Sequence, residues 1–461
     1  MNIQEQRYAL RFEVNFEPVT GLLLRSGRPG EFTDSAVEKT SDNRLHINGY
    51  VWASLLRRAL SRCELWQQTA KGWGKYDGKD GVAPLWTEAT FVEEKDYITV
   101  VNPGNRIDRQ YGSVAEGALY SDELALPQTT LMLRGIIFAP TMDEAEKAED
   151  ALLDACRVIG HGIETIGGGW SYGFGRLAPQ GVRCLLLDLT EESGRKQLWQ
   201  ANVEMPSLTR ELEHRNPKIS RDKGWANLTV DCRIAEGQLL AIHSDVPELS
   251  DDFASLLADT FVFTRPELSQ DGSLRSTPAI TGKAFRQAAL STAIERRLRS
   301  RQGEGACLNT SDGTRVAALP GQEKDKRRCR CKRCLWFGDI DAGGIISVGD
   351  ALVKDAVREV LHRIQVCEHS GQTMQKKLFN GEYLTQGNFT LTILIDHARR
   401  EETQSDELER AVATLLEEMQ RNGKAPPGWH RLGATSTCTG QLEVASEDIQ
   451  PQHFPPKEAC A

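Results

Sequence analysis

The sequence lacks the long apolar runs and leader patterns that mark membrane and secreted proteins. No stretch of about eighteen consecutive apolar residues occurs, so we expect no membrane span. The first residues do not have the basic-then-apolar order of a secretion signal. Without such a signal, the 11 cysteines are expected to be reduced thiols or metal ligands rather than a disulfide framework. These absences together predict a cytoplasmic protein.

Positive charge is also in deficit, because the net charge is −9. This value argues against a protein that binds nucleic acid through its overall charge. Basic residues are nevertheless concentrated between Glu323 and Arg333, where local neutralisation of phosphates remains open beside the alternative of a solvated surface. Neither a P-loop nor a dinucleotide-binding fingerprint is present. Four histidines show no spacing that argues for catalysis: His46, His161, His243 and His430.

What the chain does contain is a repeat of long period. Residues 106–123 and 363–382 both begin with Arg-Ile, and both place a glycine seven residues before a leucine and a glutamate four residues after it. Each segment is followed by an apolar or alternating run, 130–138 in the first copy and 389–395 in the second. Self-similarity of this kind predicts two structurally related units.

The similarity extends outward from these segments in the same order. Alternating apolar residues at 10–16 and 228–234 predict strands with one buried face. Amphipathic, arginine-bearing helices then start at Gly49 and Gly282, and Thr141 with Glu144 predicts a capped helix later in the first copy.

This order predicts an α+β fold with two tandem ferredoxin-like (RRM-like) domains. We place the first domain at residues 1–203, a charged, proline-containing linker at 204–223, and the second domain at 224–461.

The cysteine cluster predicts a structural zinc site. Cys329, Cys331 and Cys334 form a Cys-x-Cys-x-x-Cys pattern, with Cys307 upstream as a fourth ligand. Four thiolates at about 2.3 Å complete a tetrahedral zinc site and leave no open position for catalysis. The cluster falls in an insertion at about residues 303–340 that only the second copy contains and that is too short to bury its own core. The alternative is a set of reduced cysteines in a basic loop.

Glycine-rich segments end both copies, at residues 167–176 and 428–433. Glycines allow main-chain N–H groups to approach phosphates, and Trp170, Tyr172 and Phe174 have faces on which bases could stack. A tight turn between a helix and a strand accounts for the same composition. The loops therefore leave both interpretations open.

Taken in this order, the motifs resemble the CRISPR-associated RAMP superfamily. The elements that carry the resemblance are the alternating first strand, the Ile-x-Gly helix start, the Arg-Ile…Gly…Leu…Glu segment and the terminal Gly-x-Gly-Arg loop. The chain is most similar to backbone subunits of type III RNA-targeting effector complexes, and two such units in one chain are similar to the fused subunits of type III-D variants. The cysteine pattern followed by residues 335–338 resembles the zinc-bearing insertion of that group.

The resemblance implies a subunit that binds guide RNA beside other CRISPR effector subunits and cleaves base-paired target RNA at regular spacing. Residues 106–123 and 363–382 are implied to be hairpin thumbs that splay a nucleotide of the duplex. Contacts to the sugar–phosphate backbone would ignore base identity, while base pairing reads the target. The implied RNA-binding residues are Arg25, Arg28, Asn48, Arg57, Arg58, Arg106, Arg109, Gly168, Gly169, Tyr172, Arg176, Lys283, Arg286, Arg363, Trp429 and Arg431.

The catalytic carboxylate of this family lies in the loop between the first strand and the first helix. Asp34 and Asp259 occupy that position, and each begins an Asp-x-x-Val sequence. A Mg²⁺ or similar divalent ion would assist attack by the adjacent ribose 2′-hydroxyl, which makes the expected activity a metal-dependent endoribonuclease specific for RNA. A loop aspartate also serves as a turn or cap residue. Two alternatives therefore stay open: a non-catalytic scaffold with cleavage by a partner, and a guide-processing ribonuclease, which would require a catalytic histidine.

Overall fold

The structure is a computed structural model. It describes residues 6–31, 33–64, 84–107, 114–200, 205, 216–240, 242–244, 258–268, 274–300, 306, 308–309, 315–316, 331–338, 343–367, 370, 372–399, 405–420, 442–446 and 449–455. Of the predicted site residues, Arg109, Cys307, Cys329, Trp429 and Arg431 lie outside this set.

The chain divides into two compact units. Unit 1 comprises Met1–Trp225, Thr310–Asp312 and His453–Ala461, and unit 2 comprises Ala226–Asn309 and Gly313–Gln452. The domain and linker boundaries proposed from the sequence stay a prediction. No helix among the described residues has the length and apolar character needed to cross a membrane.

Unit 1 contains eight strands and three α-helices in its described residues. They are β1 (Tyr8–Pro18), β2 (Leu45–Ile47), α1 (Gly49–Leu60), β3 (Leu85–Thr87), β4 (Thr90–Val92), β5 (Tyr97–Ile107), β6 (Val114–Pro127), β7 (Leu131–Ala139), α2 (Met142–Gly160), β8 (Leu177–Asp188) and α3 (Glu192–Trp199).

The main sheet of unit 1 has four antiparallel strands in the order β3-β7-β1-β8. Strand β1 buries Leu10, Phe12, Val14 and Phe16, as the period-two alternation predicts. Helices α1 and α2 pack on each other, and α2 also packs on β1, β7 and β8. The predicted cap of α2 is confirmed, since Thr141 accepts a hydrogen bond from the Glu144 N–H. The connectivity β1-α1-β3-β7-α2-β8 is consistent with the predicted ferredoxin-like fold.

Unit 2 contains many short elements around one larger sheet. They are β9 (Trp225–Ile234), β10 (His243–Ser244), β11 (Phe261–Val262), β12 (Thr264–Leu268), β13 (Leu274–Ile280), α4 (Gly282–Ala284), a π-helix (Phe285–Ser291), α5 (Thr292–Ser300), β14 (Leu308–Asn309), β15 (Arg315–Val316), α6 (Lys332–Phe337), β16 (Ile346–Val348), β17 (Ala351–Leu352), β18 (Lys354–Val366), β19 (Thr373–Asp396), α7 (Ser405–Gln420) and β20 (Leu442–Val444). The first residue of β9 and the last two residues of the short strand β21 (Gln452–Phe454) belong to unit 1.

The larger sheet of unit 2 has the order β16-β19-β9-β20, with α4 following β9 and α7 following β19. Its strands and helices therefore occur in the same order along the chain and across the sheet as those of unit 1. One face of α7 is buried and includes Leu408, Leu415, Leu416 and Met419. The sheet order makes unit 2, too, consistent with a ferredoxin-like fold.

A long β-hairpin stands beside the main sheet of each unit. Strands β5 and β6 pair in unit 1, and β18 pairs with the first part of β19 in unit 2. In unit 1 the chain leaves the hairpin at Pro127 and starts β7 at Leu131. In unit 2 the strand continues without interruption, and Gly387 with φ +155° lies at the corresponding place. The described residues of the segments 106–123 and 363–382 belong to paired hairpin strands, and their role as thumbs stays a prediction.

A glycine at the start of the first helix is required in both units. A Cβ atom on Gly49 would lie 2.3 Å from the carbonyl oxygen of Thr87, and one on Gly282 would lie 2.0 Å from that of Val348. Both neighbours are main-chain atoms of an adjacent strand. The X-Gly pattern seen in the sequence therefore reflects a close approach between a helix start and a strand.

Candidate functional site

The predicted catalytic aspartate of unit 1 lies at the base of the first hairpin. The Asp34 N–H donates to the Ser121 carbonyl oxygen at 2.9 Å. In return, the Ser121 N–H and hydroxyl donate to Asp34 Oδ2 at 2.6 Å and 3.2 Å. The side chain is exposed even though its carboxylate is held in place. Among the described residues, none donates a hydrogen bond to Asp34 Oδ1. The carboxylate is therefore oriented through Oδ2 and accessible at the surface.

Asp259 has the same arrangement in unit 2. Its N–H donates to the Asn380 carbonyl oxygen at 2.7 Å, and the Asn380 N–H donates to Asp259 Oδ2 at 2.7 Å. Asp259 is exposed as well. Asn380 takes the place that Ser121 has in unit 1. Each unit therefore fixes one loop aspartate against its hairpin by a reciprocal pair of hydrogen bonds.

A glutamate on each hairpin holds the rest of the loop. Glu123 Oε2 accepts from the Val37 N–H at 3.0 Å, and Glu382 Oε2 accepts from the Val262 N–H at 2.8 Å. These valines end the two Asp-x-x-Val sequences, and the glutamates end the two Leu…Glu spacings. Both patterns are visible in the sequence, which by itself indicates no role for the glutamates. The structure shows that the two patterns contact each other.

The two sites differ in the residue that precedes this glutamate. In unit 1 Asp122 is buried and forms a bidentate pair with Arg25, whose Nε and Nη2 donate at 3.0 Å and 2.9 Å. The hydrogen bonds that Arg25 donates to Asp122 raise the pKa of Arg25. In unit 2 the corresponding position is Gly381, which has no side chain. Arg25 is therefore paired with the residue next to Ser121, whereas Gly381 at the corresponding position of unit 2 has no side chain that could form such a pair.

A histidine that no sequence pattern singles out lies beside Asn380, the hairpin residue that holds Asp259. His362 is directly opposite Asn380 in the β18–β19 pairing, and its Nδ1 is 2.6 Å from Asn380 Oδ1. The residue opposite Ser121 in unit 1 is Pro103. The imidazole is exposed. Only the cross-strand register, which the sequence alone does not fix, could have revealed this contact.

The predicted RNA-binding residues around α1 have structural contacts of their own. Asn48 is the N-cap of α1 and accepts from the Tyr50 N–H. Arg58 is exposed, but its guanidinium donates to Glu164 at 2.8 Å and to the Thr165 carbonyl oxygen at 2.7 Å. Arg57 lies half-buried on the same helix, whereas the Arg28 side chain is exposed in the Asp34 loop. RNA contact by these residues stays a prediction.

In unit 2 the predicted RNA-binding residues have contrasting surroundings. Arg286 is only 6% exposed and donates to the carbonyl oxygens of Ile346 and Phe337, an environment that accounts for it as a buried structural residue. Lys283 is half-buried in α4. The guanidinium of Arg363 lies 4.6 Å from the centre of the Tyr383 ring. Arg106 of unit 1 belongs to β5, and its side chain lies outside the described set.

The glycine-rich loop of unit 1 is a compact turn. Gly168 donates to the Leu23 carbonyl oxygen at 2.9 Å, and Gly169 has φ +76°. Trp170 and Phe174 are buried by the packing of the turn, which favours the tight-turn interpretation over base stacking for these two rings. Tyr172 is half-buried and packs against Phe174. Burial lowers the pKa of Arg176.

Two of the four predicted zinc ligands lie together in unit 2. Cys331 is the N-cap of α6, and its sulfur accepts from the Cys334 N–H at 3.5 Å. Both side chains are buried and contact each other. Two adjacent cysteines at a helix start, with a main-chain N–H directed at sulfur, fit half of a four-thiolate zinc site.

Another set of metal-ligating atoms occurs at the start of α7. Within the part of the chain that the structure describes, His397, Asp406 and Glu409 place ligand atoms within 4.8 Å of one another. His397 Nε2 lies 3.4 Å from Glu409 Oε2. An ion pair beside a helix N-terminus accounts for this group without a metal, because acidic residues stabilise that end of a helix.

Comparison of the sequence with protein-family models gives a match within unit 1. No curated protein matches the chain. Residues 15–178 match the family model of the RAMP superfamily, and this range contains the Asp34 loop, α1, the first hairpin and the glycine-rich loop. RAMP proteins are associated with RNA and with multi-subunit CRISPR complexes. The match shows that residues 15–178, within unit 1, are similar to the RAMP superfamily.

Proposed function

We propose that the chain is a backbone subunit of a type III CRISPR effector complex, built from two RAMP units, that binds guide RNA and cleaves target RNA at regularly spaced sites. One observation carries this proposal: each unit holds an exposed aspartate at the base of a long hairpin by the same reciprocal hydrogen bonds. A solitary loop aspartate is explained by a turn. Two aspartates with equivalent surroundings, far apart in the sequence, indicate a shared task.

The tandem arrangement is supported by details inside each unit. Leu22 forms an isolated antiparallel bridge with Ala125, and Leu240 forms one with Leu384. Parallel bridges join Ser35 to Asp122 and Thr260 to Gly381. Together with the matching sheet orders, these pairs favour two copies of one ancestral unit. A type III-D-like fusion is the variant that this duplication suggests.

The chemistry we propose needs one carboxylate beside a distorted phosphodiester. A hairpin inserted into the guide–target duplex would splay a nucleotide and bring its ribose 2′-hydroxyl into line with the adjacent phosphorus. A Mg²⁺ or similar ion, when bound, would stabilise the developing charge on the phosphate. Asp34 and Asp259 would orient the groups at that position, since the main-chain N–H donors fix their Oδ2 atoms.

The remaining contacts with RNA would come from exposed side chains near the two loops. Arg28 is open to solvent, and Arg25 is 55% exposed at its side chain although it is paired with Asp122. Such groups can neutralise phosphates without reading bases. We propose a structural zinc ion in unit 2, held by Cys331 and Cys334 together with Cys307 and Cys329, which lie beyond the described residues.

The experiment is target cleavage by the effector complex assembled with guide RNA. Asp34→Ala is expected to abolish one set of cuts and Asp259→Ala another, with no loss of complex assembly or target binding. Asp143→Ala, an exposed change on α2, is the matched control and is expected to leave all cuts in place. If every cut persists in the double variant Asp34→Ala, Asp259→Ala, the chain is a non-catalytic guide-binding scaffold and a partner does the cutting.

A further inference from the structure

On its hairpin, the site of unit 2 has a histidine at the register position where unit 1 has a proline. Asn380 contacts both His362 and Asp259. Its side-chain oxygen lies 2.6 Å from the imidazole Nδ1 of His362, and its main-chain N–H donates to the Asp259 carboxylate at 2.7 Å. In unit 1 the same register positions hold Pro103 and Ser121. The Ser121 hydroxyl donates to Asp34 instead of orienting a neighbouring ring. Proline has no side-chain group that accepts a proton.

The contact with Asn380 determines which nitrogen of His362 is available. The carbonyl oxygen of an amide can only accept a hydrogen bond, so a neutral imidazole must donate from Nδ1 to Asn380 Oδ1. Nε2 then carries the lone pair and points away from this contact. An imidazole held in a fixed tautomer by one nitrogen is the usual arrangement for proton transfer at the other.

Two other charged groups on these strands are engaged with neighbours. Glu382 on β19 is buried and accepts from the Val262 N–H. Arg358 on β18 lies 3.6 Å from Glu382. Asp259 reaches His362 only through Asn380. Among the described residues of this hairpin near Asp259, His362 is therefore the one exposed titratable side chain whose ring is fixed by a neighbour. Its second ring nitrogen remains available to a substrate.

We propose that His362 is a catalytic residue of the second site, where Nε2 accepts the proton of the attacking ribose 2′-hydroxyl. The 2′-oxygen forms a bond to the adjacent phosphorus, and the bond from phosphorus to the 5′-oxygen breaks. The products are a 2′,3′-cyclic phosphate and a 5′-hydroxyl, whose oxygen takes a proton from water. The first site carries out the same transfer without a side-chain base at this position. This inference rests on the proposed function, because it assigns a role within RNA cleavage.

The test uses the whole effector complex with one end-labelled target, so that both sites are measured in a single reaction. Single-turnover rates of each cut are recorded between about pH 5.5 and 8.5, the range across which histidine charge ordinarily changes. The Asp259-dependent cut of the wild type is expected to slow as the pH falls. His362→Gln is expected to reduce that cut about 100-fold or more and to remove its pH dependence. The Asp34-dependent cut should keep its rate in this variant.

Two further variants separate a catalytic from a structural role. Asn380→Ser gives unit 2 the residue found at Ser121 and removes the acceptor of the imidazole, so we expect an intermediate loss with a shifted pH profile. His46→Gln, which changes a histidine of unit 1 stacked on Phe91, is the matched control and should alter neither cut.

The outcomes distinguish this inference from the proposed function. If His362→Gln leaves the rate and pH profile of the Asp259-dependent cut unchanged, or slows both cuts equally, His362 is not the proton acceptor and the cleavage proposal stands. If the wild-type complex makes no cut that depends on Asp259, both proposals fail for unit 2.

Discussion

Replacing Glu382 by alanine should release the loop that carries Asp259. Glu382 is 2% exposed, and its Oε2 accepts from the N–H of Val262, which is also 2% exposed. Loss of a hydrogen bond to a charged group costs about 1.5–3 kcal/mol, because the donor is left buried and unsatisfied. Removal of one buried methylene adds about 0.8 kcal/mol. We therefore expect the local opening free energy of the 258–263 segment to fall by about 2–4 kcal/mol.

Hydrogen–deuterium exchange read by mass spectrometry measures this opening directly. A loss of about 2 kcal/mol corresponds to roughly 30-fold faster exchange at the Val262 amide. Glu382→Gln is the matched control, since its amide oxygen can still accept from Val262, and its effect should be about 1 kcal/mol. Glu123→Ala should accelerate exchange at Val37 less, because Glu123 is only half-buried. Unchanged exchange at Val262 in Glu382→Ala would refute this account of the loop.

Two other predictions concern pH and metal. Burial lowers the pKa of His161 below 6.5, so the unfolded chain binds the proton more readily than the folded chain. The contribution of His161 to the free energy of unfolding should therefore be complete above about pH 6.5 and decrease as the pH falls. His161→Phe keeps an aromatic ring beside Trp225 and Phe454 and should flatten that decrease in urea titrations at several pH values. Metal analysis of the purified protein should find one zinc per chain that Cys334→Ser removes and that Cys63→Ser, a buried cysteine of unit 1, retains; equal zinc in both variants would exclude the thiolate site.

The sequence predicted those features of the fold that depend on local patterns. Period-two alternation identified β1 and β9 because each strand buries one face, and Thr141 marked the start of α2 because a cap acts within one helical turn. The glycines at 49 and 282 were found as helix starts, although their reason, a carbonyl oxygen of a distant strand, is visible only in the structure.

Contacts between distant segments were beyond the sequence. The Asp-x-x-Val and Leu…Glu spacings were each recognised, but nothing in either pattern indicates that Val37 donates to Glu123. The His362–Asn380 contact depends on strand register, and a shift by one residue would place the ring on the other face of the hairpin. Composition left open whether Trp170 stacks on bases or lies in a tight turn, because composition does not show burial; in the structure its indole N–H donates to the Ile163 carbonyl oxygen inside the turn.

The double attachment of each aspartate loop has a mechanical consequence. Asp34 is bonded to Ser121, and Val37 to Glu123, so neighbouring points of the loop are fastened to neighbouring points of one strand. If the hairpin bends, the Asp34 carboxylate should therefore move with the hairpin and not with α1. The distance between the tip of the hairpin and the carboxylate would then stay constant while the angle of the hairpin changes.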